Sequence, residues 1–134
     1  MRGPQTFYLP VQVITGIGCS DCLPEEVEKL KARKVLLITD EGVRGAGLTE
    51  EIERNLKACC EELSVYDDVP PEPAVKDADK LGDAARDLKP DVIVGVGGGS
   101  VLDMAKGAAV LANNPGSIKD YFGTGLVKNP SVPT

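Results

Sequence analysis

The sequence predicts an α/β fold built on a doubly wound, mostly parallel sheet, and three observations carry that reading. Short aliphatic and β-branched runs alternate with stretches whose apolar residues recur three or four apart, the spacing of one helix face. The runs Lys34 to Thr39 (KVLLIT) and Asp91 to Val96 (DVIVGV) lack the polar alternation of a half-exposed strand, which suits strands covered on both faces. Gly97-Gly98-Gly99-Ser100 then leads the second run straight into a helix of small apolar residues, the strand-to-helix join such sheets use.

Each element follows from local chemistry. Phe7 to Ile14 (FYLPVQVI) is aromatic and β-branched and reads as a strand broken at Pro10, so the sheet is expected to carry an N-terminal strand pair. Thr15 to Gly18 is a turn. Leu23, Val27 and Leu30 mark a first helix, with Pro24 and Glu25-Glu26 suited to its first turn. After the strand Lys34 to Thr39 and Asp40, Glu41 to Leu48 reads as a glycine-containing loop. Thr49 is the expected cap of a second helix with Ile52, Leu56, Cys59 and Leu63 as its stripe. Leu63 to Tyr66 is a short strand, and Val69 to Pro73 (VPPEP) is too proline-rich for regular structure. Val75, Ala78, Leu81, Ala85 and Leu88 define a third helix. The strand Asp91 to Val96 and the helix Val101 to Ala112 follow. Beyond Asn113 only Ile118 to Phe122 suggests a helical turn, and the missing closing element is expected to mark a fragment of something longer.

Composition narrows the function. The chain has 134 residues, 42% hydrophobic and 27% charged, enough for one domain with a real core. Its net charge of −6 disfavours nucleic acid and anionic membrane as partners. Neither a bilayer-length apolar stretch nor an apolar export segment is visible, so a cytoplasmic location is expected. Histidine is absent, which removes the commonest general base and transition-metal ligand. Cys19, Cys22, Cys59 and Cys60 are expected to be reduced thiols. Cys19-Ser20-Asp21-Cys22 follows a glycine turn rather than a buried central strand, which argues against a thioredoxin-like site. Adjacent Cys59 and Cys60 suit zinc poorly.

Two features point to a ligand. Glycines at 97–99 let a backbone approach closely, and the free N–H groups of the following helix, at its positive dipole end, favour a phosphate. Ser100 adds a hydroxyl, and Ala105, Gly107, Ala108 and Ala109 let the helix sit close to the sheet. Asp40 stands at the carboxyl end of its strand, the edge where open α/β sheets bind ligands, and can accept from ribose hydroxyls. Capping a turn is its alternative role. Together the two features suit the adenosine end and pyrophosphate of one dinucleotide.

These residues resemble the iron-containing (group III) alcohol dehydrogenase family. GGGSVLDMAK matches that family's GGGSxxDxxK signature without a gap, and KVLLITD its strand-plus-Asp element. FYLPVQVITGIG, VPPEP, and SIKDYFG followed by KNPSVPT are similar to further family segments, so the resemblance spans nearly the whole chain. It implies a Rossmann-like NAD(P)-binding domain over residues 1–134, truncated before the family domain ends, with the C-terminal helical metal domain absent. It implies reversible hydride transfer between NAD, or with less support NADP, and an alcohol or aldehyde. It places Gly97, Gly98, Gly99 and Ser100 on the pyrophosphate, Asp40 on the adenosine ribose, and Asp103 near the nicotinamide half, with Lys106 completing the motif. The divalent metal, iron or zinc, and the homo-oligomeric state belong to the full-length parent, and the fragment alone is expected to be inactive. Glu72 departs from the asparagine usual before that loop's proline. A glycerol dehydrogenase, a 3-dehydroquinate synthase-like relative, or a non-catalytic nucleotide-binding module are the alternatives.

Overall fold

Three parallel strands form the sheet in a computed structural model that describes residues 10–134. They are β1 (Lys34–Ile38), β2 (Glu62–Tyr66) and β3 (Val92–Gly95), in the order β2-β1-β3. Lys34 pairs with Glu62 and Ile38 with Tyr66 on one side of β1, while Val35 pairs with Val92 and Ile38 with Gly95 on the other. The helices are α1 (Leu23–Lys29), α2 (Glu41–Gly45), α3 (Glu50–Cys59), α4 (Val75–Leu88) and α5 (Gly99–Asn113).

The two-residue period of the strands splits the core into two layers. Val35, Leu37 and Val92 face α1 and α3, where Val27 and Leu56 are buried. Leu36, Ile38 and Ile93 face α4 and α5, where Leu81, Ala85, Val101, Met104, Ala105 and Ala108 are buried. The small residues of α5 therefore do what their size suggests. At the seam between α4 and α5, Gly82 is buried, and a Cβ there would lie 2.4 Å from Leu111 Cδ1. The chain moves to one side of β1 through α3 and returns across it through α4. This reversal opens a crevice at the carboxyl ends of β1 and β3, where the loops diverge.

Thr39 braces that edge. It is fully buried, its N–H donates to the Tyr66 carbonyl at 2.9 Å, and its hydroxyl donates to the Val96 carbonyl at 2.7 Å. The loops that leave all three strands are thus held in register by one residue.

At the opposite edge, Asp91 accepts from the backbone N–H groups of Arg33 and Lys34, both at 2.9 Å, and these bonds hold its carboxyl below the usual carboxylate range. A depressed native pKa contributes stability that is present above the unfolded value of about 3.9 and lost as pH falls through the native value. Asp91→Asn is therefore expected to cost about 1 kcal/mol at pH 7, after discounting for an exposed side chain. In thermal melts the deficit of the variant should shrink as pH falls below about 4.

Several elements differ from the sequence expectation. Residues 7–9 of the expected N-terminal strand lie outside the described residues, and 10–14 run without strand pairing. Pro10 removes a donor there, and the far edge of β3 is met from elsewhere: the Ile93 N–H donates to the Pro133 carbonyl at 2.9 Å. The expected loop Glu41 to Leu48 instead opens with α2, because the Asp40 carboxylate accepts from the Val43 N–H and caps it. Thr49 precedes α3 without capping it, since its hydroxyl donates to Glu53 Oε1 at 2.9 Å. The third helix and the turn at Ile118–Tyr121 stand where the spacing puts them. The four cysteines are free and half-buried, and burial raises the thiol pKa of Cys59 and Cys60.

Candidate functional site

Three loops meet at the crevice. The first leaves β1 with Asp40, the second leaves β2 with Asp67 to Pro71, and the third leaves β3 with the glycines. A backbone bridge between Asp40 and Asp68 joins the first two. The Ser100 hydroxyl donates to the Pro71 carbonyl at 2.8 Å and joins the second to the third. Asp40, Asp67, Asp68, Gly98, Gly99 and Ser100 are among the residues that line a recess of about 540 Å³. That volume lies within the range of small-molecule sites, about 300–1,000 Å³.

Each glycine of the loop has its own role. Gly97 has φ +156, and a Cβ there would lie 2.7 Å from Val101 Cγ2, so this position supplies the sharp entry into α5. The close-approach role that the sequence suggests for Gly98 is compatible with its geometry, but a positive φ is not. Its backbone is extended, at φ −79 and ψ −171, and a Cβ would meet nothing within 4 Å. Gly99 is equally open. The 15-residue helix α5 begins at Gly99, two residues earlier than its apolar pattern suggests, so its N-terminal N–H groups open toward the recess from within the glycine run.

Of the two roles weighed for Asp40, the structure shows the cap, and it also places the residue on the wall of the recess. Its Oδ1 accepts from the Val43 N–H at 2.8 Å, while Oδ2 makes no hydrogen bond among the described residues. The cap thus orients the carboxylate and leaves one oxygen for the recess.

The recess carries a concentrated negative charge that sequence reasoning missed. Glu41, Asp67 and Asp68 join Asp40 along its wall. Asp67 is paired with Arg44 and Asp68 with Lys80, whose ammonium is held above its ordinary pKa by that carboxylate. Asp67-Asp68 directly after β2 was the available signal, since strand-end acids share the edge with Asp40.

Asp103 and Lys106 do not enter this recess. They form an exposed ion pair at 3.3 Å on α5, and Asp103 lines a neighbouring apolar groove with Ser100, Met104, Ile118 and Phe122. Glu72 is exposed on the proline loop outside both.

The topology and this crevice define an open, doubly wound α/β unit with its ligand edge intact. The chain belongs to the iron-containing alcohol dehydrogenase family, whose family model matches residues 10–134. It is 37% identical to sulfoacetaldehyde reductase of Bilophila wadsworthia over 94% of this chain and 33% of that protein. It is 41% identical to long-chain-alcohol dehydrogenase 1 of Geobacillus thermodenitrificans over 88% of this chain and 31% of that protein. The fold superposes on NADH-dependent butanol dehydrogenase A of Thermotoga maritima with a TM-score of 0.81 and 30% identity, covering 89% of this chain and 30% of that one. The chain therefore spans about a third of the length of these relatives.

Among the described residues no group of three or more His, Cys, Asp or Glu side chains is placed to hold a metal ion, and the sequence holds no histidine. The described residues of this chain do not fit the metal that gives the family its name. No helix among the described residues is long and apolar enough to cross a membrane.

Proposed function

We propose that this chain is the NAD-binding part of a metal-dependent alcohol dehydrogenase that interconverts an alcohol with an aldehyde or ketone. The observation that carries the reading is the convergence of Asp40 with Gly98, Gly99 and Ser100 on one recess, from loops far apart in sequence. The chemistry of these donors and acceptors fits a dinucleotide. The backbone of Gly97–Ser100 and the N-terminal N–H groups of α5 would hold the pyrophosphate, whose charge suits the positive end of a long helix. The free oxygen of Asp40 would accept from the adenosine ribose. Asp103 would stand toward the nicotinamide side, in the groove that meets the recess at Ser100. The bound cofactor supplies the hydride acceptor, and this chain's own part is to bind and orient it.

The relatives are named for substrates as different as sulfoacetaldehyde and long-chain alcohols, so the shared N-terminal third accompanies varied substrate choice. That supports a cofactor role for this third and a substrate and metal role for the rest.

The test is a calorimetric titration of the purified chain with NAD+, paired with an assay of alcohol oxidation. The expected result is one binding site and no turnover, with or without added Fe²⁺ or Zn²⁺. Absence of NAD+ binding removes the cofactor reading, and metal-dependent turnover removes the division of labour.

A further inference from the structure

We infer that Asp67 and Glu53 set cofactor selectivity by sequestering Arg44, the cation best placed to receive a 2′-phosphate. The inference rests on the NAD reading of the recess and adds residues to it.

Arg44 lies one helical turn after Asp40, so the two share a face of the segment that begins at the cap. Its guanidinium reaches Asp67, a wall residue of the recess, through Nη1 to Oδ2 at 2.7 Å. An arginine at this edge, near the acid that reads the ribose, is the group that accommodates the 2′-phosphate of NADP when it is free to turn. Here it is not free. Its other edge donates to both carboxylate oxygens of Glu53, Nε to Oε1 at 3.1 Å and Nη2 to Oε2 at 3.3 Å.

Glu53 is itself fixed. It is mostly buried, at 14% exposure, and Oε1 also accepts from the hydroxyl of the fully buried Thr49. Glu53 therefore anchors the guanidinium from the helix side while Asp67 holds it from the strand side. A planar, bidentate pairing of this kind is stronger and more directional than a lysine pair would be.

The clamp has two electrostatic consequences. It uses the fork of donors that a phosphate needs. It also balances one arginine with two carboxylates, so Arg44 adds no net positive charge toward the recess. A 2′-phosphate entering there would meet Asp40 and Glu41 with no free guanidinium to offset them.

The test is titration of the chain with NAD+ and with NADP+, which differ only in the 2′-phosphate. Asp67→Asn keeps the shape and removes the charge that holds Nη1. It is expected to raise NADP+ affinity by about tenfold, the scale of one charge-assisted contact, and to change NAD+ affinity less. Losing any wall carboxylate could by itself favour a phosphate, and two further variants separate that effect. Glu41→Gln removes the same charge from the same wall without releasing Arg44, and should give a smaller gain. Asp67→Asn with Arg44→Ala should lose most of the tenfold gain.

An unchanged NADP+ affinity in Asp67→Asn, an equal gain in Glu41→Gln, or a gain that survives Arg44→Ala each overturns the clamp while leaving NAD+ binding intact. Failure of the unsubstituted chain to bind NAD+ is a different result: it removes the NAD reading, and the clamp with it. Asp67 is 40% exposed, and equal melting profiles of the variants confirm that the affinities are compared on the same fold.

Discussion

Gly98→Val is expected to lower NAD+ affinity about a hundredfold or more while leaving the chain folded. The two halves of that result come from different observations. The backbone at Gly98 is extended, a conformation valine adopts readily, and a Cβ there touches nothing. The fold therefore loses only the modest advantage of glycine over valine at a helix N-cap, about 1 kcal/mol. A branched side chain beside Gly99 and Ser100, however, occupies space at the wall where the pyrophosphate would need to approach the backbone. Gly97→Ala should show the reverse pattern. Its Cβ would press on Cβ and Cγ2 of the buried Val101, at 2.9 and 2.7 Å, at a φ that L-residues rarely adopt. That predicts a loss of about 2–4 kcal/mol of stability. Calorimetric titration and thermal melts on both variants check the pair. Wild-type affinity in a folded Gly98→Val chain would show the loop to be only a turn.

The second large effect concerns Asp40. A carboxylate that accepts from the ribose 2′-hydroxyl adds about 1.5–3 kcal/mol for NAD. The same charge about 4 Å from the first charge of a 2′-phosphate repels it by about 4 kcal/mol at an effective dielectric of 20, before salt and relaxation reduce it. Both terms act in one direction, so NAD+ should bind about a hundredfold more tightly than NADP+. The cap on α2 decides which substitution tests this. Asp40→Gly would remove the acceptor for Val43 along with the charge, whereas Asp40→Asn retains a cap of equal rank. Asp40→Asn should therefore cut the NAD+/NADP+ ratio by about tenfold or more with little change in melting temperature. A ratio untouched by the substitution removes Asp40 from the cofactor site.

Pro10 and Asp40 illustrate how far local reading reaches. Periodicity placed α1, α3, α4, β1 and β3 to within a few residues, because their apolar spacing is a local property. The segment 10–14 has the same strand-like composition but no strand pairing, since pairing depends on what lies alongside. The helix α2 was illegible for a related reason. Two glycines in five residues argue against a helix, and only the carboxylate of Asp40 reaching Val43 makes one turn of it worthwhile.

By itself the sequence determined the class of fold, the family and the two features that line the recess at the strand ends, because continuous apolar runs, a gapless GGGSxxDxxK match and an acid at a strand end are all written in neighbouring residues. Only the tertiary structure decided that Gly97 rather than Gly98 carries the strained backbone, that Asp67 and Asp68 share the wall with Asp40, and that Arg44 is held between Asp67 and Glu53. The acidic wall and the hold on Arg44 depend on the parallel pairing of β2 beside β1, which sets Asp67 and Asp68 next to the loop after β1, and the strain at Gly97 depends on the angle at which α5 leaves β3; these are distances of a few ångströms that no apolar spacing along the chain records.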